Sequence, residues 1–231
     1  MKKAGIIGGI GPVSTLDYYR GIIDGVRVKT GDDNYPEITI NSINMTKMLS
    51  YVQNEDWDAL TQMLLDAVKS LADAGADFAA IASNTPHIVF DKVKAQSALP
   101  LISIVDATCE YAQSRGCKTV LVIGLRFTMS SGLYSKAFEK YGIAAVTPSE
   151  SEQETIHNLI FPNLENGIVV PEDKQSMLKL VQSLIKQHHA DALVLGCTEL
   201  PLMIQDVEVA ALIINTTQIH IDAIVDYCIS K

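Results

Sequence analysis

Short, mostly apolar runs alternate along this chain with longer stretches in which apolar positions return every three or four residues. The short runs fall at residues 4–8, 37–43, 78–82, 101–104, 119–124, 144–146, 192–195 and 212–214. Runs this short and this apolar predict strands buried on both faces, the pattern of a parallel sheet covered by helices. The longer stretches predict helices at 15–29, 57–74, 107–115, 132–141, 153–166, 173–187 and 217–230. In the second of these the apolar residues stand at 60, 64, 68, 71 and 72, close to helical spacing. Pro171-Glu172-Asp173 reads as a helix start, and Gly75, Gly116 and Gly142 sit where helices would stop.

Two segments are near copies of one another. Ala76-Asp77-Phe78-Ala79-Ala80-Ile81-Ala82-Ser83-Asn84-Thr85 aligns with Ala190-Asp191-Ala192-Leu193-Val194-Leu195-Gly196-Cys197-Thr198-Glu199, which places Ser83 on Cys197. Lys3-Ala4-Gly5-Ile6-Ile7-Gly8-Gly9 and Lys118-Thr119-Val120-Leu121-Val122-Ile123-Gly124 repeat at nearly the same offset. A repeat of this length predicts two similar half-molecules facing each other across a cleft. The expected fold is therefore α/β, with two pseudo-symmetric domains, each a parallel sheet flanked by helices, and the active site in the cleft between them. Residues 1–108 plus 210–231 are expected to form the first domain and 109–209 the second. In that division the last strand and helix, about 212–231, return to complete the first half. No Pro- or Ser-rich linker joins the halves.

Composition narrows the class. At 231 residues, 48% hydrophobic and 19% charged, the chain has the make-up of a soluble globular protein with ample length for a core. A net charge of −9 argues against a nucleic-acid surface, though not against a small anionic ligand in a local pocket. No stretch reaches the roughly 18 apolar residues that a membrane span needs. The first apolar run meets Gly8-Gly9 almost at once, so it reads as a buried strand rather than a signal peptide. The four cysteines show neither metal spacing nor a disulfide framework. Free thiols in a cytoplasmic protein are expected.

The candidate chemistry lies at strand ends. Gly8-Gly9-Ile10-Gly11-Pro12 is a glycine-rich turn between a strand and a helix. Its spacing is not that of a dinucleotide fingerprint and no P-loop lysine follows, so a tight turn whose amides face a small anion is expected. Ser83-Asn84-Thr85 and Cys197-Thr198-Glu199 each follow a buried strand, where open α/β sheets bind ligands. The amides there, with Asn84, Thr85 and Thr198, are expected to hold a carboxylate. Cys197 is the candidate acid–base group, its thiol expected below the usual value of about 8.5 beside positive dipole ends. The plainer reading makes it one more small buried residue. Thr128, after the repeated strand of the second half, mirrors the glycine-rich turn and is a further carboxylate contact. His87 either tunes Ser83 or is structural. His188 and His189 point different ways on a helix, which argues against a metal pair, and Cys109, Cys117 and Cys228 read as structural.

Several blocks resemble a known family. Gly5-Ile6-Ile7-Gly8-Gly9-Ile10-Gly11-Pro12, Asn84-Thr85-Pro86-His87 and Leu195-Gly196-Cys197-Thr198-Glu199-Leu200-Pro201 are similar to signature blocks of the aspartate/glutamate racemases. Tyr35-Pro36-Glu37-Ile38 and Thr216-Thr217-Gln218-Ile219-His220 match two weaker blocks. The resemblance implies an amino-acid racemase that uses neither pyridoxal phosphate nor metal, and a homodimer. It also implies a cysteine from each domain that abstracts or returns the α-proton, a role carried onto Cys197 and, by position, onto Ser83. Ser83 departs from the two-cysteine pattern, and an alcohol is too weak an acid to supply a standing base. Three readings stay open: a natural one-sided variant with Ser83 donating a proton, an introduced Cys-to-Ser change, or an amino-acid-binding protein or other one-cysteine carbon-acid enzyme. The small amino-acid substrate implied is aspartate or glutamate. Of the two stretches where the family carries recognition residues, 161–165 has no basic residue and 44–48 has only Lys47, which either reaches the pocket or is solvated. Glu199 either orients Cys197 or binds the substrate ammonium.

Overall fold

The eight strands of the computed structural model form two separate sheets of four, and every pairing is parallel. Residues 1–230 are described. The first sheet contains β1 (Ala4–Gly8), β2 (Ile38–Ser42), β3 (Phe78–Ile81) and β4 (Leu101–Ile102) in the order β2-β1-β3-β4. The second contains β5 (Thr119–Ile123), β6 (Ala144–Val146), β7 (Ala192–Leu195) and β8 (Leu212–Asn215) in the order β6-β5-β7-β8. The same order in both sheets is the internal repeat expressed as topology. The central strands β1, β3 and β7 are buried at every residue, which is why they read as unbroken apolar runs.

The chain divides into two compact units, Met1–Ile104 with the segment from Thr217 onward, and Val105–Thr216. In the first, helices α1 (Pro12–Thr30) and α10 (Thr216–Ile229) bring Tyr18, Ile22, Ile221, Ile224 and Val225 onto Ile6, Phe78 and Ala80 of the sheet. Pro12 opens α1 at a position where its missing N–H costs nothing. On this unit, α2 (Met45–Gln53) and α3 (Trp57–Asp73) are capped by Asn44 and Asp56, whose side chains accept from Lys47 N at 2.9 Å and Ala59 N at 3.0 Å. A short helix, α4 (Phe90–Gln96), precedes β4. In the second unit α5 (Ile104–Ser114) leads into β5, and two short helices, α6 (Arg126–Ser130) and α7 (Leu133–Glu139), follow it. Then α8 (Glu150–Ile160) and α9 (Pro171–His188) place Ile156, Ile160, Met177, Val181 and Leu184 against Leu121, Ile123, Leu193 and Leu195. No helix among the described residues is long and apolar enough to cross a membrane.

Two expectations need correction. The strand at 212–215 does not return to the first half. It pairs with β7 from Ala192 opposite Leu212 to Leu195 opposite Asn215, because β4 already fills the matching edge of the first sheet. Only α10 joins the first unit. The helix expected over 153–166 is also two elements: α8 ends at Ile160 and a separate 3₁₀ turn spans Leu164–Asn166. Pro162, which lacks an N–H and disfavours helical geometry in the residue before it, separates them.

Candidate active site

At the carboxyl end of β1 the glycine-rich turn is braced by its own helix. Gly9 holds φ +81°, and a Cβ there would stand 2.4 Å from the Ile43 carbonyl oxygen, so only glycine fits. Its N–H donates to Thr15 Oγ1 at 2.9 Å, and that hydroxyl donates to the Gly11 carbonyl at 3.0 Å. The Gly9 amide, one of those expected to face an anion, is thus committed to Thr15.

Ser83 follows β3 in the same unit. Its N–H donates to the Ile81 carbonyl at 2.8 Å, and its own carbonyl lies 2.8 Å from His87 Nδ1. The Ile104 N–H donates to His87 Nε2 at 3.3 Å, so Nε2 is the acceptor and Nδ1 carries the hydrogen. His87 also stacks on Phe90, with centroids 5.0 Å apart. Burial, then the neighbouring His220, pushes its pKa down to about 3. A neutral His87 is therefore a strut for the Ser83 backbone and does not touch its hydroxyl, which makes no hydrogen bond among the described residues. Asn84 and Thr85 are buried beside it. Nearby, His220 takes a hydrogen bond from Tyr18 at 2.8 Å and donates to the Ile102 carbonyl at 3.1 Å, tying α1, α10 and β4 together. Lys47 is exposed on α2, with its ammonium 5.8 Å from the Tyr51 ring.

The second unit holds the thiol. Gly196 ends β7 with its N–H on the Ile123 carbonyl at 2.7 Å. A Cβ at Gly196 would meet that carbonyl and the Thr128 methyl, each at 2.9 Å, so glycine lets α6 close over the strand end. Thr128, 3% exposed, is thereby packed beside the turn that carries Cys197. Cys197 is itself 6% exposed. Its Sγ–H donates to Glu199 Oε2 at 3.2 Å, with Glu165 Oε1 a second acceptor at 3.7 Å. Thr198 also donates to Glu199 Oε2, at 2.6 Å, so its hydroxyl is engaged within the turn. Glu199 is 3% exposed, and its Oε1 is buried without a hydrogen-bond partner among the described residues.

This environment reverses the expected titration of the thiol. Burial raises the Cys197 pKa well above its ordinary value, and the Glu199 and Glu165 carboxylates raise it further. The Glu199 backbone N–H does favour the thiolate, as expected of a strand-end turn, but it is outweighed. Glu165 is pushed up to about 7, by burial and then by Glu199.

Glu165 is the candidate site residue that sequence reasoning did not single out. It lies on the 3₁₀ turn Leu164–Asn166, anchored by the fully buried Leu164, whose burial is worth about 2 kcal/mol. The stretch 161–165, a place to look for a recognition cation, contributes an acid. Glu165, Cys197 and Glu199 offer donor atoms within 4.8 Å of one another, and such a set suits a cation once the thiol has lost its proton. Cys109, Cys117 and Cys228 are free and buried, and burial pushes Cys109 up to about 12 and Cys228 up to about 11.

Residues 7–224 match the Asp/Glu/hydantoin racemase family. The fold is similar to that of an aspartate racemase homologue from Pyrococcus horikoshii, with 36% identity, a TM-score of 0.88 and all of both chains covered. A broad specificity amino-acid racemase of Bacillus subtilis is 26% identical over 219 residues, 92% of each chain. The aspartate racemase of Picrophilus torridus shares the fold at 23% identity and a TM-score of 0.77, covering 99% of this chain and 94% of that one.

Proposed function

The chain belongs to the Asp/Glu/hydantoin racemase family, and from that premise we propose that it is a cofactor-independent amino-acid racemase in which Cys197 exchanges a proton with the substrate α-carbon. The observation that supports this reading is the buried Cys197 sulfur at the end of β7, hydrogen-bonded to Glu199 at 3.2 Å. As the α-C–H bond breaks, an S–H bond forms, and the electron pair passes into the α-carboxylate. Fixed donors around that carboxylate lower the barrier most, a role for the buried Asn84, Thr85 and Thr128. In the resting protein the thiol keeps its proton, so it is primed as a donor. An incoming substrate ammonium offsets the carboxylates that hold the thiol up, so the thiol releases its proton to solvent as substrate binds and the resulting thiolate takes up the α-proton.

Ser83 takes the matching position in the first half and serves the other proton transfer, as a donor or through a water that it holds. We read the protein as a cytoplasmic homodimer: its four buried cysteines are free, as in a reducing compartment, and symmetric dimers are the commonest assemblies. A thiol that keeps its proton also fits a protein that binds an amino acid and turns nothing over.

Incubation of single enantiomers in D₂O separates these readings. α-Deuterium incorporation with inversion, unaffected by hydroxylamine, is the expected result. Exchange without inversion assigns a one-base enzyme. Saturable binding without exchange of any amino acid removes the racemase reading.

A further inference from the structure

We propose that this site selects amino acids with a cationic side chain, and that Glu165 is the residue that selects them. The proposal rests on Cys197 being the reacting group. For proton transfer the α-carbon must come within about 3.5 Å of Sγ. Glu199 Oε2 already lies 3.2 Å from that sulfur and Glu165 Oε1 lies 3.7 Å from it. Two carboxylates therefore flank the sulfur that the α-carbon of a bound substrate must approach.

The charges then decide the class. The α-ammonium, one bond from the reacting carbon, can satisfy one carboxylate. Glu199 is the natural partner, since its Oε1 is buried without a hydrogen-bond partner among the described residues. Glu165 is left facing the substrate side chain. Among the described residues neither glutamate forms an ion pair; the ion-paired cations of this unit, Arg126 and Lys174, are held by Glu154 and Glu208. A distal carboxylate, as in aspartate or glutamate, would bring a further negative charge beside Glu199 and the partly ionised Glu165. A distal ammonium or guanidinium would instead pair with Glu165 and form the charge-assisted hydrogen bonds that a carboxylate favours. Because Glu165 is pushed up to about 7 in the empty site, such a cation also draws it into its ionised form.

The test compares α-hydrogen exchange in D₂O for both enantiomers of lysine, ornithine and arginine, of alanine and methionine, and of aspartate and glutamate. EDTA keeps adventitious zinc off the same three donors. The expected kcat/KM is at least about tenfold higher for the cationic set than for the neutral set, and lowest for the acidic set. In Glu165→Gln the ratio of cationic to neutral exchange should fall about tenfold, and Glu165→Asp should restore part of it. Faster exchange of aspartate or glutamate in the wild-type protein overturns the substrate class and leaves the racemase reading standing. A cationic-to-neutral ratio unmoved in Glu165→Gln removes Glu165 as the selector. Exchange of none of the seven amino acids overturns the racemase reading itself, and this proposal with it. Should the Gln variant fail to fold, the wild-type ranking still decides the class.

Discussion

Cys197 Sγ and Glu199 Oε2 are 3.2 Å apart on a single turn after β7, with the thiol donating to the carboxylate. The direction of that bond matters, because it stabilises the protonated sulfur. The Glu199 backbone N–H works in the opposite sense and is outweighed by burial and by the two carboxylates. One residue thus pulls the thiol both ways, and its side chain wins.

Removing that side-chain charge should release the thiol. In Glu199→Gln the Cys197 pKa is expected to fall, so alkylation by iodoacetamide at pH 8 should run about tenfold faster. Mass spectrometry of the peptide carrying residue 197, with Cys197→Ala as the blank, reads the rate site by site. The buried Cys109, Cys117 and Cys228 should stay slow. An unchanged or slower rate at Cys197 would mean that Glu199 does not govern the sulfur.

Position 83 allows an equally direct test. The Ser83 backbone is fixed by Ile81 and His87 through main-chain atoms, so exchanging the hydroxyl for a thiol leaves those supports intact. A thiol is far more acidic than an alcohol and supplies a usable base near neutral pH. Ser83→Cys should therefore raise the initial rate of racemisation about tenfold or more, measured by chiral chromatography from each pure enantiomer. An equal rate in both proteins would exclude Ser83 from the proton transfers.

These tests also mark what the sequence could and could not convey. All eight strands were legible, and β1, β3 and β7 most plainly, because a parallel strand covered on both faces must be apolar throughout. Cys197 stood out as a candidate because the repeat aligned it with Ser83. The short helices α2, α4 and α6 were not, since five to nine residues carry too few turns for a period to show. For α2 the cap at Asn44 was the available signal. Glu165 was out of reach for another reason. It stands 32 residues from Cys197 and meets it only through the packing of Leu164, a tertiary relation with no local pattern. The direction of the thiol shift was lost with it. Local dipoles predicted a lower value, and burial first, then Glu199 on the same turn and Glu165 brought in by the fold, outweighed them.

Acid stability follows from the buried histidines of the first unit. His87 and His220 are held neutral, with pKa values pushed down to about 3 and about 4, in both cases first by burial. An unfolded histidine titrates near 6.5, so below that pH the unfolded chain binds protons that the folded chain refuses. The stabilisation is complete above pH 6.5 and is lost as pH falls toward 4, at about 1.4 kcal/mol per pH unit for each histidine. Glu165, in the second unit, runs the other way. Its pKa is raised, so its contribution is present below the unfolded value and is lost as pH rises through about 7. Trp57, the single tryptophan, lies on α3 in the first unit and reports that unit separately. Urea unfolding followed by its fluorescence should lose stability from pH 6.5 to 4.5 with a slope near that of two protons. In His220→Gln, which keeps an acceptor for Tyr18 and a donor for the Ile102 carbonyl, the slope should fall by about half. A flat profile across that window in the wild-type protein would show that the two rings are charged in the folded state, and the strut that His87 forms beneath Ser83 could not then be neutral.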